Sequence, residues 1–267
     1  MFYGLIEKTC KKVIENKLLE NNGYYSIDFD NLEALFKEHK IMILCSPHNP
    51  VGRVFTDDEL TKIVKLAKKH NVYLLSDEVH ADIILNDNQF ISALNYYDLY
   101  DNILVFIAPS KTFNIAGLHI SLVLSKNDEL INKYRETSES GYFKNSSMLS
   151  VEALKAAYSI CDDWLHAQNK HLSNNYLVVK NHFDKFHPKV ILSPIEGTYL
   201  LWVNLKYLKV DQETLLKTFE EQGVLLADGL AYGKDASGYV RMNLAVSEEQ
   251  LQEGLERLSK AIKILDK

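Results

Sequence analysis

Three short, almost unbroken apolar runs constrain this chain more than any other feature: Ile41-Met42-Ile43-Leu44-Cys45, Val72-Tyr73-Leu74-Leu75 and Ile103-Leu104-Val105-Phe106-Ile107. Each has the length and β-branched content of a strand, and none alternates with polar residues, as expected of strands buried on both faces. Between the first two, Thr56 and Glu59 form a capping box for a helix carrying Leu60, Ile63, Val64 and Ala67. Ahead of the first, Asp30 is placed to cap a helix with Leu32, Leu35 and Phe36 on one face. Strands alternating with helices predict an α/β fold with a mostly parallel sheet.

The flanking segments read differently. Lys11–Leu18 is expected as a short strand, with Asn21-Asn22-Gly23 turning the chain into Tyr24–Ile27, and His119–Leu124 adds a strand after the third run. Helical patterns dominate from Asn127 to Phe186. Strands are then expected at Val190–Leu192, Tyr199–Val203, Val224–Leu226 and Tyr239–Asn243, with a helix at Gln212–Gln222 stopped by Gly223. Ser247 and Gln250 form a second capping box. These patterns predict a large domain over residues 1–165 and a smaller α+β domain over 166–267.

A formal charge of -6 provides no basic excess, which argues against nucleic acid and for a small-molecule ligand. The sequence has neither a run approaching a membrane span nor a signal-peptide order at its start, so a cytoplasmic protein without a membrane partner is expected. Cys10, Cys45 and Cys161 are widely spaced and expected to be free thiols, with Cys45 in the core. His166 with His171, and His182 with His187, are five residues apart on predicted helix, off a common face, and read as packing or solvated residues.

Candidate chemistry lies where the apolar runs end. Lys111 follows the third run and Pro109, in an expected loop at the edge where open α/β sheets bind ligands. A partly desolvated amine there can serve as a nucleophile, whereas a lone lysine after a strand is more often simply solvated. Asp77 follows the second run; it is either a cap or ion-pair residue, or the partner of a protonated pyridine nitrogen. Asn49 could donate to a cofactor oxygen or be a turn residue before Pro50. Glu78 reads as structural, and Tyr199 and Trp202 as core, with Lys144 a further candidate to line a pocket.

Four motifs carry a resemblance: Ser46-Pro47-His48-Asn49-Pro50-Val51-Gly52-Arg53, Ser76-Asp77-Glu78-Val79-His80-Ala81-Asp82, Ser110-Lys111-Thr112-Phe113-Asn114 and Val240-Arg241-Met242-Asn243. In this order they resemble the signatures of fold-type I pyridoxal-phosphate enzymes. They are most similar to the cystathionine β-lyase branch of the class I/II aminotransferase family, the carbon–sulfur lyases of the MalY/PatB type. The resemblance implies the aspartate aminotransferase-like fold of PLP-dependent transferases and pyridoxal 5'-phosphate as cofactor. It implies that Lys111 holds the cofactor and moves the substrate Cα proton. Asp77 would keep the ring nitrogen protonated, Asn49 and His80 would reach the phenolic oxygen, Ser110 would touch the phosphate, and Arg241 would grip the α-carboxylate.

The activity so implied is β-elimination from L-cystathionine or a related cysteine S-conjugate, by a homodimer acting on a small amino acid. An aminotransferase is the nearest alternative, because the same residues serve both reactions. A silent fragment or regulatory module on the same fold is a second. Family members carry an N-terminal portion before the segment matching Met1-Phe2-Tyr3, with early strands, a glycine-containing phosphate turn and an aromatic residue stacking on the cofactor. The resemblance therefore implies a large domain incomplete at its N-terminus, with sheet edges left open.

Overall fold

The structure is a computed structural model that describes residues 2–9, 11–141 and 146–266. After helix α1 (Phe2–Lys8), residues 11–18 have no regular structure, and the first hairpin pairs β1 (Leu19–Asn21) with β2 (Tyr24–Ser26). The strand expected at Lys11–Leu18 is therefore displaced toward the C-terminus. Asn22 and Gly23, both with positive φ, form the turn, so pairing starts beside it and leaves the lysine-rich stretch unpaired. The next helix, α2 (Phe29–Glu38), is capped by Asp28, whose carboxylate accepts from the Asn31 amide, and not by Asp30.

The large sheet contains β3 (Ile41–Cys45), β4 (Tyr73–Asp77), β5 (Ile103–Ile107) and β6 (Leu122–Leu124), in that order. The first three strands are parallel, and β6 runs antiparallel to β5. Helix α3 (Asp57–His70) connects β3 and β4; its Thr56–Glu59 capping box forms, and Leu60, Ile63, Val64 and Ala67 are buried as expected. Pro109 opens a one-turn helix, α4 (Pro109–Thr112), so Lys111 sits on a helical turn and not in an open loop. Helices α5 (Asp128–Ser140), α6 (Met148–Ile160) and α7 (Asp162–Phe186) follow.

The second sheet is antiparallel, in the order β7 (Ile191–Leu192), β8 (Leu200–Asn204), β10 (Tyr239–Asn243), β9 (Ala227–Asp228), with α8 (Gln212–Glu221) between β8 and β9 and α9 (Glu248–Leu265) at the end. The strand expected at Val224–Leu226 does not form there. Leu225 points out at 83% exposed, and pairing begins at Ala227, opposite Arg241. Gly229, whose Cβ would lie 2.4 Å from the Tyr239 carbonyl oxygen, allows the close approach that follows.

Two cores result. One large core packs α2, α3 and Tyr96, Tyr97 and Tyr100 against β3–β5; the other packs α7, α8 and α9 on the antiparallel sheet and also takes Ile83 and Leu85 from the loop after β4. At the junction, Arg53 is fully buried. Its Nη2 is 2.9 Å from Glu59, its Nε is 2.8 Å from Glu196, and Nη1 donates to the Tyr25 carbonyl. Glu196 begins a tight segment through Gly197, where a Cβ would lie 2.9 Å from Pro47 and Val54.

Cys45 and Cys161 are free thiols, both half-buried, and burial pushes the Cys45 thiol up to about 12, which leaves it unreactive. Cys10 and Lys144 lie outside the described residues. The histidine reading needs one correction. His187 lies just past the end of α7, so the helical spacing does not hold, and His182 and His187 both reach Ser259 Oγ, at 2.7 and 2.9 Å. No helix among the described residues is long and apolar enough to cross a membrane, and none of their side chains cluster as a metal site.

Candidate active site

Parallel register sets the geometry of the site. Cys45 stands opposite Asp77, and Asp77 opposite Phe106, so the chain leaves three adjacent strands at one edge. Asn49 follows β3, Asp77 closes β4, and Lys111 follows β5. This is the carboxyl edge of the parallel strands, where side chains converge from separate loops on a shared crevice.

The electrostatics of these residues interlock. Asp77 is half-buried, and burial raises its carboxyl above the ordinary range, opposed by the Val79 amide 3.2 Å away and by the charge of Lys111. His80, buried, is lowered to about 4, mainly by desolvation and further by Lys111 and Arg241, so its imidazole is neutral at physiological pH. Its Nδ1 is buried with no hydrogen-bond partner among the described residues, and its ring meets Tyr199 edge-on at 5.6 Å. Tyr199, read from sequence as core, thus packs on the core of the antiparallel sheet and also contacts the site.

Arg241 crosses from the second sheet. Its Nη1 donates to Asn49 Oδ1 at 2.9 Å, and its guanidinium lies 4.8 Å from the centre of the Tyr232 ring. Asn49 therefore spends its acceptor on Arg241 and keeps its amide N–H groups, which make no hydrogen bond among the described residues. Lys111 Nζ likewise makes none, and Ser110 is half-buried beside it. Glu78 is structural, as expected: buried, it accepts from Ser76 Oγ, Ser92 Oγ and the Ala93 amide.

Sequence reasoning missed two contributors. Tyr232 was not singled out, although it stacks on Arg241. Asp82 was quoted only as part of a motif, yet it accepts from Thr112, the neighbour of Lys111. Neither has a local signal: Asp82 acts across 30 residues, and Tyr232 meets Arg241 only once the segment between β9 and β10 has folded back.

The family model for aminotransferase class I and II matches residues 9–258. The chain belongs to that family. Among its relatives, cystathionine beta-lyase PatB of Bacillus subtilis is 32% identical, over 98% of this chain and 68% of that protein. Protein MalY of Escherichia coli is 30% identical over the same shares. The crystal structure of cystalysin from Treponema denticola, which contains pyridoxal 5'-phosphate, superposes with a TM-score of 0.96 at 36% identity, covering 99% of this chain and 68% of that one. This member of the class I and II family thus has the α/β aminotransferase fold, and it spans about two thirds of each relative's length.

Proposed function

We propose that this chain is a pyridoxal-phosphate-dependent carbon–sulfur β-lyase that takes L-cystathionine or a related cysteine S-conjugate and releases a thiol, pyruvate and ammonia. The observation that carries the reading is the set of polar atoms left unused at the strand ends. These are the Lys111 amine, the Asn49 amide N–H groups, Oδ2 of the half-buried Asp77 carboxylate, whose Oδ1 takes the Val79 amide, and the unpartnered Nδ1 of buried His80. A pyridine ring bearing a phenolic oxygen and a carbonyl carbon needs this combination, so the residues fit the cofactor. When bound, pyridoxal phosphate supplies an electron sink for the pair left at the substrate Cα.

In this reading Lys111 holds the cofactor through Nζ and then carries the proton at Cα. Asp77 accepts from the protonated ring nitrogen, an interaction strengthened by its low-dielectric surroundings. Asn49 donates to the phenolic oxygen, oriented by its bond to Arg241. His80, neutral, would support that oxygen, and the Ser110 hydroxyl would hold the phosphate. Arg241 has one N–H tied to Asn49 and presents its remaining fork to the α-carboxylate.

The reading takes the chain as a cytoplasmic homodimer with a cofactor-binding domain over residues 1–165 and a smaller domain over 166–267. Exposed apolar side chains on α6, Met148 at 87% and Ile160 at 79%, support a partner surface. The test is the visible spectrum of the purified protein with pyridoxal phosphate, before and after borohydride, followed by pyruvate release from cystathionine. Wild type is expected to show a band that borohydride fixes at Lys111 and to release pyruvate; Lys111→Ala should do neither. Pyruvate release by Lys111→Ala, or keto-acid-dependent amino transfer outpacing elimination in wild type, would overturn the assignment.

A further inference from the structure

The lysine at the centre of the site stands on a helix that cannot hold itself in place. Helix α4 has four residues, Ala108 at the capping position before it offers no side-chain cap, and the Phe113 amide reaches Pro109 O at 2.9 Å. A single turn of helix fixes several dihedral angles for one hydrogen bond and is unstable alone. Its orientation must therefore come from contacts with other parts of the molecule.

Besides the Ile115 amide, which donates to Ser110 O at 3.2 Å, two contacts from distant parts of the chain stand out among the described residues. The Phe113 ring packs against Tyr158 of α6 and Trp164 of α7, at 5.8 and 5.6 Å between centroids, but both partners are more than a third exposed and aromatic packing tolerates sliding. The other contact is directional. Thr112, 2% exposed, donates from Oγ1 to Asp82 Oδ2 at 2.7 Å, the short length of a hydroxyl bonded to a carboxylate. The Tyr158 hydroxyl approaches the same oxygen only at 3.5 Å. Asp82 is itself held from behind, where its carbonyl accepts from Asn169 Nδ2 of α7 at 2.9 Å.

We propose that Asp82 is the positioning residue for Lys111: its carboxylate, bonded to Thr112, locks the lysine's helix to the loop that follows Asp77 and carries His80. Asp82 lies two residues beyond His80 and five beyond Asp77, so one hydrogen bond sets the spacing between the amine and the group that faces the ring nitrogen. Burial raises the Asp82 carboxyl while the Thr112 and Tyr158 hydroxyls oppose that rise, consistent with an acceptor kept for these donors. The proposal rests on the reading of Lys111 as the cofactor-holding lysine.

The test uses the purified chain with Asp82→Ala, Asp82→Asn and Thr112→Val. Amide hydrogen exchange in the peptide containing Phe113 reports on α4 without any cofactor. The rate at which borohydride-trapped pyridoxal phosphate accumulates on Lys111 reports on the amine. Loss of a charge-assisted hydrogen bond predicts about tenfold faster exchange and about tenfold slower capture in Asp82→Ala. Asp82→Asn should recover both, because its Oδ1 still accepts from Thr112. Thr112→Val should reproduce the Asp82→Ala losses from the other side, and the double variant should be no worse than either single one. Unchanged α4 exchange in both Asp82→Ala and Thr112→Val overturns the proposal, as does Asp82→Asn behaving like Asp82→Ala with melting temperatures lowered in parallel. If wild type captures no cofactor, the lyase reading falls, and the exchange measurement still decides whether Asp82 holds the helix.

Discussion

The two four-stranded sheets have equal strand numbers and very different cover. On the antiparallel sheet β8 is buried along four of its five residues, and α8 and α9 press Leu215, Phe219, Leu251, Leu255, Leu258 and Ile262 onto it. On the parallel sheet, edge strand β3 begins at Ile41, 63% exposed, α5 has no buried residue, and α6 buries only Ser150 and Ala157. The lysine, aspartate and asparagine of the candidate site project from this less covered sheet; only the arginine comes from the other. The reactive groups thus stand on the sheet that α2 and α3 cover but whose later helices, α5 and α6, stay largely open.

That contrast can be tested by cutting into each side. Phe219→Ala, in the covered core, should cost about 3–5 kcal/mol in chemical denaturation, since nothing nearby is free to fill the space. A cost below about 1 kcal/mol would mean that this core is looser than the contacts imply.

A smaller effect, about 2 kcal/mol for one histidine between pH 6.5 and 5, is expected at the reactive side as pH falls. His48 and His80 are each lowered from 6.5 to about 4, mainly by burial. The unfolded chain takes up their protons first, so stability is complete above about pH 6.5 and declines toward pH 4, by about 1.4 kcal/mol per pH unit for each histidine. Asp77, Glu78 and Asp82, raised by burial, act in the opposite sense and gain protons in the folded state as pH falls. His80→Asn should therefore flatten the decline measured by denaturation between pH 6.5 and 5; an unaltered slope would show that His80 is not held neutral.

The smallest effect should come from the open side. Leu149→Ser on α6, where the leucine is 69% exposed, should change stability by no more than about 0.5 kcal/mol if that face is bare in solution. A cost above about 1 kcal/mol, with lower mass by light scattering, would show that a second copy covers α6.

What could be read from sequence follows the range of the interactions. Both capping boxes and the ends of β3, β5 and β10 were legible because their signals lie within a few residues. The first hairpin and β9 were misplaced because apolar content at Lys11–Leu18 and Val224–Leu226 does not reveal which residues find a pairing partner. The motif residues mark Asn49, Asp77 and Lys111, and their convergence follows from parallel register. Neither Asp82, 30 residues from Thr112, nor Ile83 and Leu85, which join a core built mostly from residues beyond 170, carries a local mark. Thr198 is fully buried with φ of 71°, a region that β-branched residues avoid, and its hydroxyl accepts from the Leu200 amide, which only the assembled junction could reveal.

Arg53 has a consequence for how the molecule comes apart. Its charge is neutralised by one carboxylate from the helix beside it and by another 143 residues further along the chain, with a carbonyl from the first hairpin as the third acceptor. If either half opened alone, a guanidinium would remain in the interior without its full complement, a state several kcal/mol above the intact one. Partial opening at this seam is therefore suppressed, and the hairpin, the parallel sheet and the antiparallel sheet are bound into one cooperative unit.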